Sequence, residues 1–113
     1  MTSEARIAEE QNTNWLDIVV LAFEKLDDRP RLRLVYAEVA KINKVAKLQA
    51  NKAPEQTVRD LVQRHCADKK KYRGSQPLFK NPKRGKWLMD REAADARWKE
   101  RAAARQFLRE LGL

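Results

Sequence analysis

The stretch Lys52-Ala-Pro-Glu-Gln-Thr-Val-Arg-Asp-Leu-Val-Gln-Arg-His65 predicts a short helix with one packed side and one polar side. Pro54 suits the first helical turn, where a missing N–H costs nothing, and Glu55 suits the positive end of the helix dipole. Val58, Leu61, Val62 and His65 recur at spacings of three and four and so share a face. Gln56, Arg59, Asp60, Gln63 and Arg64 are left on the outside. Arg pairs bidentately with guanine and Gln with adenine in a major groove, and Arg59 and Gln63, one helical turn apart, can enter the same groove. An amphipathic helix with a merely solvated polar face, in which Asp60 pairs with Arg64 at i, i+4, has the same pattern. The case for a DNA recognition helix comes from the flanking sequence.

Downstream, Leu78-Phe79-Lys80 and Lys86-Trp87-Leu88-Met89 read as two strands around Asn81-Pro82-Lys83-Arg84-Gly85, a tight-turn composition. Lys80, Lys83, Arg84 and Lys86 make this hairpin basic at its tip, and Lys69, Lys70, Lys71 and Arg73, around Tyr72, make the preceding loop basic. Upstream, Asn14 is a good N-cap with Asp17 in the first turn. Trp15, Ile18, Val19, Ala22, Phe23 and Leu26 follow the i, i+3, i+4, i+7 rule, so a first helix is expected to run to about Leu26, stopped by Asp27-Asp28-Arg29-Pro30. Leu34 to Ile42 is expected as a second helix with Val35, Tyr36, Val39, Ala40 and Ile42 inward and Arg33, a poor capping residue, at its start. Arg31-Leu32-Arg33 is open to reading as the short first strand of a three-stranded sheet. Residues 43–52 either continue the second helix or form a loop carrying Lys44, Lys47 and Lys52. Two helices, a polar-faced third and a hairpin follow the order of a winged helix-turn-helix, a mainly α (α+β) fold. The third helix would enter the major groove, and the hairpin would lie along the adjacent backbone or minor groove.

The charge distribution agrees. The 113 residues carry a net charge of +9, with 36% of them charged. Residues 1–28 hold two basic and seven acidic side chains, residues 29–86 seventeen basic and four acidic, and residues 87–113 six basic and five acidic. The excess therefore sits on the polar-faced helix and its neighbours, and a polyanionic partner is the simplest cause of such a block. The length allows one domain with one modest core. No apolar run approaches a membrane span, and Met-Thr-Ser-Glu-Ala-Arg at the start has no apolar signal region, so a cytoplasmic protein, nucleoid-associated when bound to DNA, is expected. One cysteine, Cys66, and one histidine, His65, exclude a disulfide framework and argue against a structural zinc site.

Three segments are expected: a flexible acidic leader over 1–12, a DNA-binding domain over 13–89, and a C-terminal helix within 90–113. Asp90 is a plausible N-cap for that last helix, which runs to about Leu111 with Gly112 as its stop. Its apolar residues lie on two sides, Ala93, Ala96, Ala104, Phe107, Leu108 and Leu111 on one, Ala94, Trp98 and Ala102 roughly opposite. One side would pack on the body. Trp98, Phe107, Leu108 and Leu111 are therefore the residues expected to meet a second copy in a homodimer, or a protein partner.

The run from Thr57 through Val58, Arg59, Leu61, Gln63 and His65 to Asp68, then Leu78-Phe79, then Arg84-Gly85-Lys86-Trp87-Leu88, resembles the small winged-helix domains found beside restriction-type and modification-dependent endonucleases in bacteria and phages. Leu32, Val35, Tyr36 and Val39 resemble the second helix of that group, so the similarity covers roughly residues 14–90. The resemblance implies a winged-helix fold, duplex DNA as partner, and a bacterial or phage origin. It assigns Thr57 as a helix-start hydroxyl among the DNA-binding residues, Arg59 and Gln63 as DNA-facing groups, and Trp87 as a core residue of the wing strand. Two positions depart from the group: Arg33 stands where a Ser or Thr caps the second helix, and His65-Cys66-Ala67 replaces a Ser-rich helix end.

No catalytic chemistry is expected. There is no P-loop, dinucleotide-binding glycine pattern or HExxH, and Asp68-Lys69-Lys70 spells D-x-K without a partner carboxylate on a preceding strand. His65 and Cys66 are adjacent and so point in different directions on a helix; they are expected to be a packed histidine and a small buried filler. The expectation is a non-enzymatic double-stranded DNA-binding protein without cofactor or metal, a small transcriptional regulator or accessory factor. Rivals are an adaptor that meets another protein through the winged helix and C-terminal helix, and an RNA-binding module, against which the shortage of aromatics for stacking on unpaired bases counts.

Overall fold

The computed structural model describes residues 13–26, 31–46, 54–66, 69, 72 and 77–113. The expected leader over 1–12, the helix stop at 27–30, residues 47–53 and the cations Lys70, Lys71 and Arg73 lie outside the described residues. Among those described, the chain forms five helices and a two-stranded antiparallel sheet: α1 (Trp15–Leu26), α2 (Leu32–Ala46), α3 (Pro54–Arg64), β1 (Phe79–Lys83), β2 (Lys86–Met89), α4 (Arg91–Glu100) and α5 (Ala102–Glu110). It is a mainly helical α+β fold. No helix among the described residues is long and apolar enough to cross a membrane.

Helix α1 is the centre. Its sequence suggested one inward face, but Asp17, Ile18, Val19, Val20, Ala22 and Phe23 are all buried, so the helix is covered nearly all round. On one side it packs against α2, through Val35, Val39 and Ile42, and against α3, through Val58 and Val62. On the other lie α4 and α5, which supply Ala94, Trp98, Phe107 and Leu108 to the same core.

That second contact is partly ionic. The Asp17 carboxylate is fully buried. Oδ1 accepts from Nη1 of Arg97 and, at 2.9 Å, from Nε of Arg101; Oδ2 accepts from Nη2 of Arg101 at 2.8 Å and from the backbone N–H of Asn14 at 2.9 Å. Four donors fill the roughly four acceptor positions of a carboxylate. The Asn14 side chain accepts from the Asp17 N–H at 3.0 Å, which makes the pair a reciprocal cap of α1 with Asn and Asp in place of Ser and Glu. About two turns farther along α1, Glu24 accepts from the Trp98 indole N–H at 2.7 Å and pairs with Arg105 at 3.6 Å, while the Arg105 guanidinium lies over the Trp98 ring.

Several expectations change. The terminal helix breaks at Arg101, whose backbone (φ −112°, ψ 38°) leaves the helical region while its guanidinium forks onto Asp17. Ala93, Ala94 and Trp98 before the break and Ala104, Phe107 and Leu108 after it are buried, whereas Ala96 and Ala102, expected on the two apolar sides, face solvent. Trp98, Phe107 and Leu108 are therefore covered by their own chain, and Leu111 is packed against the same core. Of the four residues expected to meet a second copy or a protein partner, three are thus buried within the chain and Leu111 is half-buried. The second helix starts at Leu32 rather than Leu34, with the Arg31 carbonyl accepting from Leu34 N–H at 2.9 Å, so residues 31–33 form no strand. It runs on to Ala46, and Ala40 faces solvent.

Removing the Asp17 carboxylate would leave two guanidinium groups facing a buried gap and would uncap α1. Breaking a buried ion pair from one side costs about 3–5 kcal/mol, so Asp17→Ala is expected to lower the urea unfolding midpoint severely, and Asp17→Ala with Arg97→Met and Arg101→Met to lower it less. An Asp17→Ala midpoint equal to wild type would show that the ion pairs do not hold α4 and α5 in place.

Candidate nucleic-acid interface

Helix α3 is seated by Val58 and Val62, which are fully buried, and by Leu61, which packs on the core. This fixes the opposite face outward. Gln56, Arg59 and Arg64 are exposed; Thr57, Asp60 and Gln63 are half-buried. The Gln56 amide donates to Asp60 Oδ1 at 3.3 Å, so these two are engaged with each other along the helix. Arg59 and Arg64 form no ion pair among the described residues.

The C-terminal end of α3 is tied to the hairpin. The His65 carbonyl accepts from the N–H groups of Leu78 at 2.9 Å and Phe79 at 3.0 Å, and Cys66 forms a parallel bridge to Phe79. Phe79 is buried against Phe23 of α1, ring centroids 4.8 Å apart, and Trp87 is buried on the returning strand. The base of the hairpin is thus core, and its tip extends beyond it.

At the tip the register shifts between Lys80 and Lys83, where Pro82 needs no ladder partner. Asn81 clamps this irregularity by donating from Nδ2 to the carbonyls of Lys83 (2.8 Å) and Lys86 (2.6 Å). Gly85, at φ +81°, supplies the left-handed residue that the turn needs. Lys80, Lys83, Arg84 and Lys86 are exposed, and none forms an ion pair among the described residues. Lys83 and Lys86 stand directly opposite each other across the strands. Like charges directly opposite each other destabilise a strand pair. Lys69 differs from the other lysines. Its Nζ donates to Asn81 Oδ1 at 2.9 Å and lies 5.6 Å from the centre of the Trp87 ring, so it braces the hairpin.

Sequence reasoning missed Arg31 and Arg33. With residues 31–33 at the start of α2, both arginines come to face the hairpin across an open cleft of about 630 Å³. Leu32 and Trp87 line it together with Arg31, Arg33, Arg84 and Lys86. The available signal is the Arg-Leu-Arg alternation in a net-basic block, which is too short to separate a strand from a helix start.

His65 is half-buried at the junction of α3 and the hairpin, as its place on the apolar face suggested. Its imidazole is held below the ordinary value of 6.5, first by burial, then by the positive charges of Arg97 and Arg64. Among the described residues, no three His, Cys, Asp or Glu side chains gather as a metal site. No family model, curated protein or solved structure matches the chain, so the resemblance of residues 14–90 stands on its own motifs.

The His65 shift has a definite sign in stability. Its contribution is complete above about pH 6.5, where the imidazole is neutral folded and unfolded, and is lost as the pH falls through 6.5 toward the lower folded value, because the unfolded chain takes up the proton first. The wild-type urea midpoint is expected to drop more steeply between about pH 7 and pH 5 than that of His65→Gln. Parallel profiles would mean that His65 titrates alike in both states.

Proposed function

We propose that this chain is a winged helix-turn-helix protein that binds double-stranded DNA, with α3 as the recognition helix and the β1–β2 hairpin as the wing. The observation that carries the reading is the hairpin tip. Lys83 faces Lys86 with Arg84 between them, and no carboxylate among the described residues pairs with any of the three. An arrangement that costs the free protein stability is offset when a polyanion lies against it. Two features support the same reading. The polar face of α3 carries exposed Arg59 and half-buried Gln63 while Val58 and Val62 anchor the other face. The elements follow one another as α1, α2, α3 and a hairpin hydrogen-bonded to the end of α3.

In this reading the basic surface steers the protein to DNA, the wing cations fix its position on the backbone, and Arg59 and Gln63 reach base edges. The role is that of a small regulator or accessory factor. The adaptor reading depended on an open apolar face of the terminal helices. The large apolar residues that stand exposed among the described ones, Leu34 and Val45, are both on α2.

Selection from a random duplex library, followed by anisotropy titration over a salt series, tests the proposal. Arg59→Ala is expected to weaken the selected site by about tenfold to a hundredfold and to relax preference at one position. Lys83→Ala and Arg84→Ala are expected to weaken all sequences alike and each to reduce the salt slope by about one. No retention of duplex by the wild-type protein would overturn the proposal.

A further inference from the structure

The cleft between the start of α2 and the hairpin joins cations from two elements far apart in sequence. Arg31 and Arg33 approach from the helix, Arg84 and Lys86 from the turn and returning strand. All four are exposed, and none forms an ion pair among the described residues. Among the described residues, no acidic one lines the cleft. Its remaining wall includes two apolar side chains, half-buried Leu32 and buried Trp87. Asn81 and Lys69 hold that wall in place: Lys69 lies over the Trp87 ring and donates to Asn81, which in turn binds the Lys83 and Lys86 carbonyls. Four convergent cations over an apolar wall suit a ligand that is anionic at its rim and apolar on its flank, as a sugar-phosphate is.

We infer that this cleft seats the sugar-phosphate backbone of duplex DNA, gripping it between the start of α2 and the wing, with Arg31 and Arg33 as phosphate-binding residues. This rests on the DNA-binding reading and deepens it, because it adds a second element, α2, to the wing's contact. The planar guanidinium forks of Arg31 and Arg33 match phosphate oxygens bidentately. The phosphate also neutralises cations that otherwise repel one another across the cleft. The contact carries no base information and fixes the protein's position on the duplex.

The test uses the full chain, a labelled duplex of random sequence and a salt series. The double variant Arg31→Gln/Arg33→Gln is expected to bind at least about tenfold more weakly at low salt, with a salt slope reduced by about two, since each neutralised phosphate contributes about 0.9. Arg31→Lys/Arg33→Lys keeps the charge and is expected to keep most of the slope. A matched urea midpoint establishes that the double variant is folded. In the wild-type protein, the Trp87 indole N–H resonance is expected to shift on adding duplex. An unchanged slope in the Gln variant, or an unmoved Trp87 resonance, while the wild-type protein binds duplex, overturns the cleft and leaves the DNA reading standing. Failure of the wild-type protein to bind duplex sinks the reading itself. A Trp87 shift with a deoxynucleoside monophosphate but none with duplex would assign the cleft to a free nucleotide and also overturn the inference.

Discussion

The Asp17 carboxylate is the point at which the fold closes. It is fully buried, caps α1 reciprocally with Asn14, and takes the guanidinium groups of Arg97 and Arg101 from residues 80 and 84 positions away in sequence. A buried carboxylate with fewer donors would cost more than it returned, because desolvation of the charge is only offset when every lone pair is met. Here four donors converge on two oxygens. The same residue therefore starts the central helix and fixes where the terminal helices dock on it.

What the terminal helices do follows from that docking. They bury the side of α1 that α2 and α3 leave open, so α1 becomes a core helix instead of a surface one. With α1 fixed, Phe23 holds Phe79, Phe79 holds the base of the hairpin, and the His65 carbonyl holds the end of α3 to that same base. Burial at that junction, with the positive charges of Arg97 and Arg64, holds the His65 imidazole below its ordinary value. The polar face of α3 and the hairpin tip thus stand on a scaffold whose connections are side-chain contacts and hydrogen bonds, not on a free loop.

The local parts of this arrangement were legible in the sequence. Helical spacing places Val58 and Val62 inward and Arg59 outward, and turn chemistry places the hairpin around Arg84 and Gly85. The long-range parts were not. Asp17 reads as an ordinary first-turn acid, since periodicity carries no information about a partner 80 residues on. A trace of it exists in hindsight: Arg97, Arg101 and Arg105 recur every four residues, and Asp17 and Glu24 lie seven apart, so a basic stripe meets an acidic one. The two apolar sides of the last helix looked like one inner and one outer face because a straight helix was assumed. With the break at Arg101, Trp98 of one side and Phe107 of the other both reach the core while Ala96 and Ala102 stay exposed, and only tertiary contact could reveal it. Arg31 and Arg33 were missed for a smaller reason: three alternating residues fit a strand and the first turn of a helix equally well.

Composition alone treats all arginines as equivalent, and the fold does not. Residues 87–113 are rich in both signs, and there Arg97, Arg101 and Arg105 each find a carboxylate on α1, two of them on a buried one. Residues 29–86 hold seventeen basic against four acidic side chains, and the described cations of the wing and of the α2 start are left facing one another. A chain able to pair its terminal arginines internally, yet placing Lys83 opposite Lys86 and two arginines across from Arg84, has one charge system that closes within the fold and another that does not. The closed system fixes where the terminal helices dock on α1. The open one leaves like charges facing one another, which a line of phosphates would relieve, and the proposed DNA reading therefore rests on these cations more than on the net charge of +9.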